Sequence, residues 1–211
     1  MKNEVLRFFW GGSKFFTFHS SLFTFLCTFA LEMESSEVIR WYPMRVTYHR
    51  ELRIKEQLDA LGVDNFVPMH YDLSDSSDGP RKTLVPAIHN LIFVHASQET
   101  LTHLKMHRKE FEPMRYMMRI SPDGHKELLY VPDRQMEDFM RVASAQDASV
   151  IFLDARDTSN MGRRVRITVG RFKGVEGVIK RIKKNKYFLI QIDGVAAVAI
   201  TYVPADCLEP V

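Results

Sequence analysis

The sequence predicts an α+β domain followed by a small, closed, five-stranded β-barrel, and three observations carry that reading. From Arg40 to residue 155 strand and helix signals alternate. Residues 154–162 (DARDTSNMG) carry few apolar anchors and read as a linker. Beyond them the helical period disappears, and short apolar runs separated by glycine, lysine and asparagine take over.

The elements follow in order. RWYPMRVT (40–47) reads as a strand, and its alternation sends Trp41 and Tyr42 to opposite faces, with at least one ring expected outward. In HRELRIKEQLDAL (49–61), Leu52, Lys55, Gln57, Leu58 and Leu61 recur at helical spacing, so Leu52, Leu58 and Leu61 are expected to face a sheet. Gly62 ends that helix, because a residue just past the last turn favours the left-handed conformation. DNFVPMHYDL (64–73) is a second strand, and the polar SDSSDGPRK (74–82) is expected only to turn the chain, as a hairpin arm or loop. LIFVHA (91–96) is a buried strand and Gln98 to Phe111 a helix. MRYMMRIS (114–121) and ELLYVP (127–132) form a hairpin about Pro122-Asp123-Gly124. A third helix starts after Pro132, with Asp133 as its cap and Met136, Phe139, Met140 and Ala143 inward; VIFLDA (150–155) adds a last strand.

The barrel strands are VRITV, GVIKRI, YFLIQI, VAAVAIT and CLEPV. Tyr187, Leu189 and Gln191 alternate with Phe188, Ile190 and Ile192, which makes one face clearly apolar. Gly174 and Gly177 fall where a bulge or tight corner excludes a side chain. The β-branched residues Val165, Ile167, Val169, Val178, Ile179, Ile190 and Ile192 favour strands over helix throughout this half.

With 45% hydrophobic and 26% charged residues the chain buries a real core. Its net charge of +3 is mild, but the excess lies near the C-terminus. Two cysteines, Cys27 and Cys207, stand far apart without metal-ligand spacing, which argues against a disulfide framework and for a reducing, cytoplasmic setting. No G-x-S-x-G, P-loop or G-x-G-x-x-G occurs. His103 and His107 have i, i+4 spacing but no evident third ligand. No enzyme, cofactor or metal is therefore expected.

Residues 15–31 (FFTFHSSLFTFLCTFAL) form an apolar run behind Lys2, Arg7 and Lys14 that imitates a signal peptide. Three readings stand: a membrane span, short and broken by His19, Ser20 and Ser21; a signal without a small-x-small site before Glu32; or a translation start at Met33. The last is the expectation, with residues 1–36 a non-domain extension and no stable membrane association.

RWYPMRV, the Arg/Glu/Lys helix after it, FVPM (66–69) and PAIHNLIFVHA (86–96) resemble the N-terminal domain of the NusG family, and VRITVGRFKGVEGVI (165–179) resembles its KOW barrel. The match is closest to the RfaH-like and UpxY-like antiterminators. Asn90 agrees with that branch, but Ile88, His89, Asn90 and Leu91 stand where the family carries an aromatic, Pro-Gly or Pro-Asn, and Tyr. The resemblance implies a NusG N-terminal α/β sandwich over 38–155, a linker over 156–162 and an SH3-like KOW barrel over 163–211. It implies a monomeric elongation or antitermination factor that binds the clamp helices of RNA polymerase through Tyr42, Ile88 and Leu91. It places His49, Arg50 and Arg53 on one helix, and Thr102, His103, Lys105, His107 and Arg108 on the next, toward non-template DNA or nascent RNA. Lys180, Arg181, Lys183, Lys184 and Lys186 on a barrel hairpin are expected to recruit a ribosomal protein or a termination factor. A ribosome-associated, RNA-binding KOW protein without polymerase is the alternative.

Overall fold

The structure, a computed structural model, describes residues 38–76, 79–145, 149–154, 162–182, 185–201 and 203–211. The apolar run at 15–31, Met33, and all of the expected linker but Asp154 and Gly162 lie outside them. No helix among the described residues is long and apolar enough to cross a membrane.

The first half is built on a four-stranded sheet in the order β2-β5-β1-β6, with β1 Arg40–Val46, β2 Asn65–Phe66, β5 Leu91–Ala96 and β6 Met114–Tyr116. β1 is one of its two inner strands, running antiparallel to the other, β5, from Arg40↔Ala96 to Arg45↔Leu91. Its proline is tolerated because Pro43 lies between the Trp41–Val131 bridge and the start of β6 at Met44, where that edge has no ladder partner. Both faces of β1 are covered, so Trp41 and Tyr42 are both buried and neither ring is presented outward as expected.

One face carries α1 (Glu51–Ala60) and α2 (Gln98–His107). Tyr42, Met44, Val46, Ile92 and Val94 pack there with Ile54, Leu58 and Leu101. Ile54, not Leu52 or Leu61, is the partner of Leu58. Ile54 and Leu58 are four residues apart on one stripe, Leu52 lies off it, and Leu61 falls after the helix ends. Gly62 closes α1 at φ +67, as its position predicted. Ser97 caps α2 by accepting the Thr100 N–H at 3.1 Å.

Val67-Pro68 breaks the expected strand over 64–73 in two. Its second part becomes β3 (Met69–Ser76), which pairs with β4 (Gly79–Pro86) in a long hairpin arm. The polar segment 74–82 is thus largely strand, because the ladder's backbone hydrogen bonds make up for missing apolar anchors. β7 (Met118–Ile120) and β8 (Lys126–Leu128) form the hairpin expected around Gly124, which turns at φ +81.

The other face meets α3 (Asp133–Ala143). Asp133 does not cap this helix: Pro132 occupies the cap position and the Asp133 carboxylate lies 3.9 Å from His95 Nε2. Met136, Phe139, Val142 and Ala143 share one buried cluster with Trp41, Leu91 and Phe93 of the first sheet and Val165, Ile167, Phe188 and Ile190 of the second. Val142 takes the inward place expected of Met140, which is only half-buried. α3 is therefore the layer between the halves.

The second sheet is antiparallel, in the order β14-β10-β11-β12-β13-β9. Its strands are β9 Val150–Asp154, β10 Arg163–Ile167, β11 Glu176–Ile182, β12 Asn185–Ile192, β13 Ala196–Ile200 and β14 Leu208–Pro210. The five expected strands form, but the strand expected at 150–155 joins them as a sixth through Ile151↔Ala199 and Leu153↔Ala197. No pairing between β14 and β9 closes the sheet among the described residues, so the expected closed, five-stranded barrel is instead a six-stranded sheet. Phe188, Ile190 and Ile192 point to the α3 side, while Leu189 is buried on the opposite face with Ala197 and Ala199. Gly174 turns at φ +88, and a Cβ on Gly177 would stand 2.5 Å from the Leu189 carbonyl oxygen.

Candidate nucleic-acid interface

At the end of β1 the chain makes a single 3-10 turn, Thr47–His49, in which Tyr48 and His49 take left-handed φ of 64° and 50°. Such angles are uncommon for residues with bulky side chains, and a facing loop holds them. Asn90, itself at φ 62°, accepts the Val46 N–H on its carbonyl at 3.0 Å and the His49 N–H on Oδ1 at 3.1 Å. The Asn90 N–H in turn donates to Oε1 of Glu51 at 3.3 Å. This turn pushes Tyr48 into solvent, with the Arg50 guanidinium 5.4 Å from its ring, and leaves His49, Arg50 and Arg53 exposed at the start of α1. The His49 and His89 rings meet edge to face at 5.2 Å above Glu51, which is only 2% exposed.

The polar residues of α2 and of its C-terminal end divide into two sets. Thr102 donates to the Gln98 carbonyl at 2.7 Å and lies 3.2 Å from the Tyr116 hydroxyl, while the Lys105 ammonium sits 4.5 Å from the Tyr116 ring. Burial, and then repulsion from Arg115, lowers the Lys105 pKa; burial raises that of Tyr116. These two residues of α2 serve the packing of Tyr116 as well as the surface. His103 and His107 stack at 4.2 Å and are exposed, as is Arg108. A groove of about 590 Å³ runs beside them, lined by Arg40, Tyr42, Thr102, His103 and His107 among others.

The three residues proposed to hold polymerase do not share a surface. Tyr42 is 4% exposed and packs edge to face on Tyr116 at 6.1 Å, on the α1/α2 side. Leu91 is also 4% exposed, but belongs to the α3 side, where Ile88 packs half-buried. On the second sheet Lys180, Arg181 and Lys186 lie on the β11–β12 hairpin, with Arg181 paired directly across from Lys186. Lys183 and Lys184 lie outside the described residues.

Residues 39–140 match the family model described as transcription termination factor nusG, and residues 161–193 match the KOW motif. The chain is a NusG-family protein. The two matched segments follow one another along the chain, and neither match indicates an enzymatic domain. A solved structure described as "Domain interaction in Thermotoga maritima NusG" is 18% identical and covers 82% of this chain and 98% of its own, at a TM-score of 0.40, too loose an overlap to transfer geometry. No curated protein matches the chain.

Within the NusG segment lie all the residues from Tyr42 to Arg108 considered above, and within the KOW segment the five basic residues of the hairpin. Two features escaped the sequence reading. One is Glu51, hidden as an ordinary polar residue of a helix start. The other is the polar edge of α3 that grips the KOW-side sheet: Gln135 Nε2 donates to the Gln191 carbonyl at 2.6 Å, and Arg141 donates to the carbonyls of Lys173 and Arg171 at 3.0 and 2.6 Å. Arg134, Asp138 and Arg141 stand at i, i+4 and i+7, a spacing that places them on one stripe and was legible.

Proposed function

We propose that this NusG-family chain is an operon-specific elongation and antitermination factor of the RfaH-like or UpxY-like kind, acting by holding RNA polymerase and not by chemistry. The observation that carries the reading is the NusG segment over 39–140 followed by a KOW motif over 161–193, with Arg53 and His103 exposed on the two helices that cover one sheet face and His49, Arg50 and Arg108 exposed at the ends of those helices. Exposed cations on one side of a sheet suit the phosphates of a displaced DNA strand or of nascent RNA.

The polymerase contact is proposed on the Ile88–Leu91 side, with Tyr42 supporting the sheet from the opposite face. Leu91 lies in the cluster that α3 shares with the second sheet, so that cluster must open before Leu91 meets a partner. Lys180, Arg181 and Lys186, with Lys183 and Lys184, are proposed to recruit a ribosomal protein or termination factor. The cross-strand pair Arg181↔Lys186 favours an anionic partner, since like charges placed opposite repel until one arrives. That pair also supports the second reading, a ribosome-bound KOW protein.

The test is transcription in vitro through a terminator, beside binding of the full chain to core polymerase. Arg53→Ala is expected to leave polymerase affinity within about twofold and to reduce read-through most at low salt, the deficit narrowing as salt rises, because one phosphate contact is lost. Failure of the wild-type chain to bind core polymerase, with retention on ribosomes, selects the second reading.

A further inference from the structure

We propose that His49, Glu51 and His89 form a site for a divalent transition metal, with zinc as the probe. One ligand atom from each of the three lies within 4.8 Å of the others. Zinc holds imidazole nitrogen and carboxylate oxygen at about 2.0–2.2 Å, so small rotations of the two exposed histidines bring the set to bonding distance.

A second observation is independent of that proximity. Glu51 is 2% exposed, and its Oε2 is buried without a hydrogen-bond partner. A buried carboxylate oxygen left unpaired is costly, and a cation is the partner that relieves it. Its other oxygen, Oε1, accepts the Asn90 N–H at 3.3 Å, which orients the carboxylate as outer partners orient metal ligands. Asn90 also fixes His49 through the bond from His49 N–H to Oδ1. One residue thus positions two of the three ligands.

Two imidazoles and one carboxylate make a borderline donor set suited to zinc or its first-row neighbours and unsuited to calcium or magnesium, which take oxygen donors. Three protein ligands leave a position for water or a partner's group. Binding ties the Thr47–His49 turn to the loop carrying His89, and adds positive charge beside Arg50 and Arg53. The inference does not depend on polymerase binding.

His103 and His107 are the competing pair, but among the described residues no third ligand groups with them, and His107 Nδ1 already lies 3.0 Å from the His103 carbonyl oxygen. The test is zinc binding by the full chain after removal of metal with a chelator, followed by calorimetry and by the shift in melting temperature. The wild type is expected to bind one equivalent and to melt higher with zinc. His49→Ala and His89→Ala, both at exposed positions, are expected to weaken binding at least about tenfold and to lose the shift, while His103→Ala keeps both. No equivalent bound by the wild type, binding that survives His89→Ala, or binding lost with His103→Ala overturns the proposal.

Discussion

Arg134 Nη2 lies 2.7 Å from Oε1 of Glu176, across the junction between α3 and the second sheet, and Arg166 Nη2 reaches the same oxygen at 2.6 Å. The Glu176 N–H also donates to Asp138 Oδ2 at 3.2 Å, so this one residue joins the helix to the sheet through both its side chain and its backbone. The hydrogen bonds from Arg166 hold the Glu176 carboxyl below the usual carboxylate range against the opposing effect of burial, and Arg134 adds to them.

Glu176→Gln is expected to lower stability near neutral pH by about 1–2 kcal/mol, between the value of an exposed pair and that of a buried one. A depressed folded-state pKa gives stability that is present above the unfolded value and lost as pH falls through the folded one. The wild type's advantage over the variant is therefore expected to vanish in acid, below the ordinary glutamate range. Asp138 has the opposite sign: burial raises its pKa, so its contribution is present below the ordinary aspartate value and lost as pH rises through the raised one. Urea unfolding of both chains from about pH 7 to about pH 3 checks the difference; a constant gap across that range rules out Glu176 as its source.

Arg141→Ala removes the two bonds to the carbonyls of Lys173 and Arg171 without touching the apolar cluster. Its expected cost is about 1–2 kcal/mol at the junction. If access to Leu91 and Ile88 governs polymerase binding, the loosened chain binds core polymerase more tightly than the wild type, since less of the binding energy goes to opening. Equal or weaker binding by a folded variant places the polymerase contact elsewhere.

Gly177→Ala and Gly174→Ala separate two reasons for glycine. At Gly177 the added Cβ would meet the Leu189 carbonyl oxygen at 2.5 Å and the Phe188 ring at 2.7 Å, so β12 itself must move. The expected loss is at least about 2 kcal/mol. At Gly174 nothing lies within 4 Å, and only the left-handed φ of 88° opposes a side chain, at about 1–2 kcal/mol. Thermal unfolding of the two variants should rank them in that order.

The residues that were legible are those whose signal is local. Gly62 at the end of α1, Gly124 in the β7–β8 turn and the alternation of Phe188, Ile190 and Ile192 each report a backbone angle or a face set by near neighbours in sequence. The misjudged ones depended on distant partners. Leu52 is expected inward in place of Ile54, but of the two only Ile54 stands one helical turn before Leu58, and the sheet under α1 covers that stripe. Tyr42 and Leu91 were joined by resemblance to a common surface, whereas the sheet between them sends them to opposite clusters.

By itself the sequence determined that a mixed α/β half precedes an all-β half, where most strands and helices fall, and which two family segments they carry, because periodicity, turn chemistry and motif spacing are written within a few residues of each other. Only the tertiary structure decided that β9 pairs with β13, that the Arg134–Asp138–Arg141 stripe grips the second sheet, and that Glu51 lies buried beneath His49 and His89. Each of these pairs groups far apart in the chain. Burial, unlike period, is a property of what arrives from elsewhere to cover a residue.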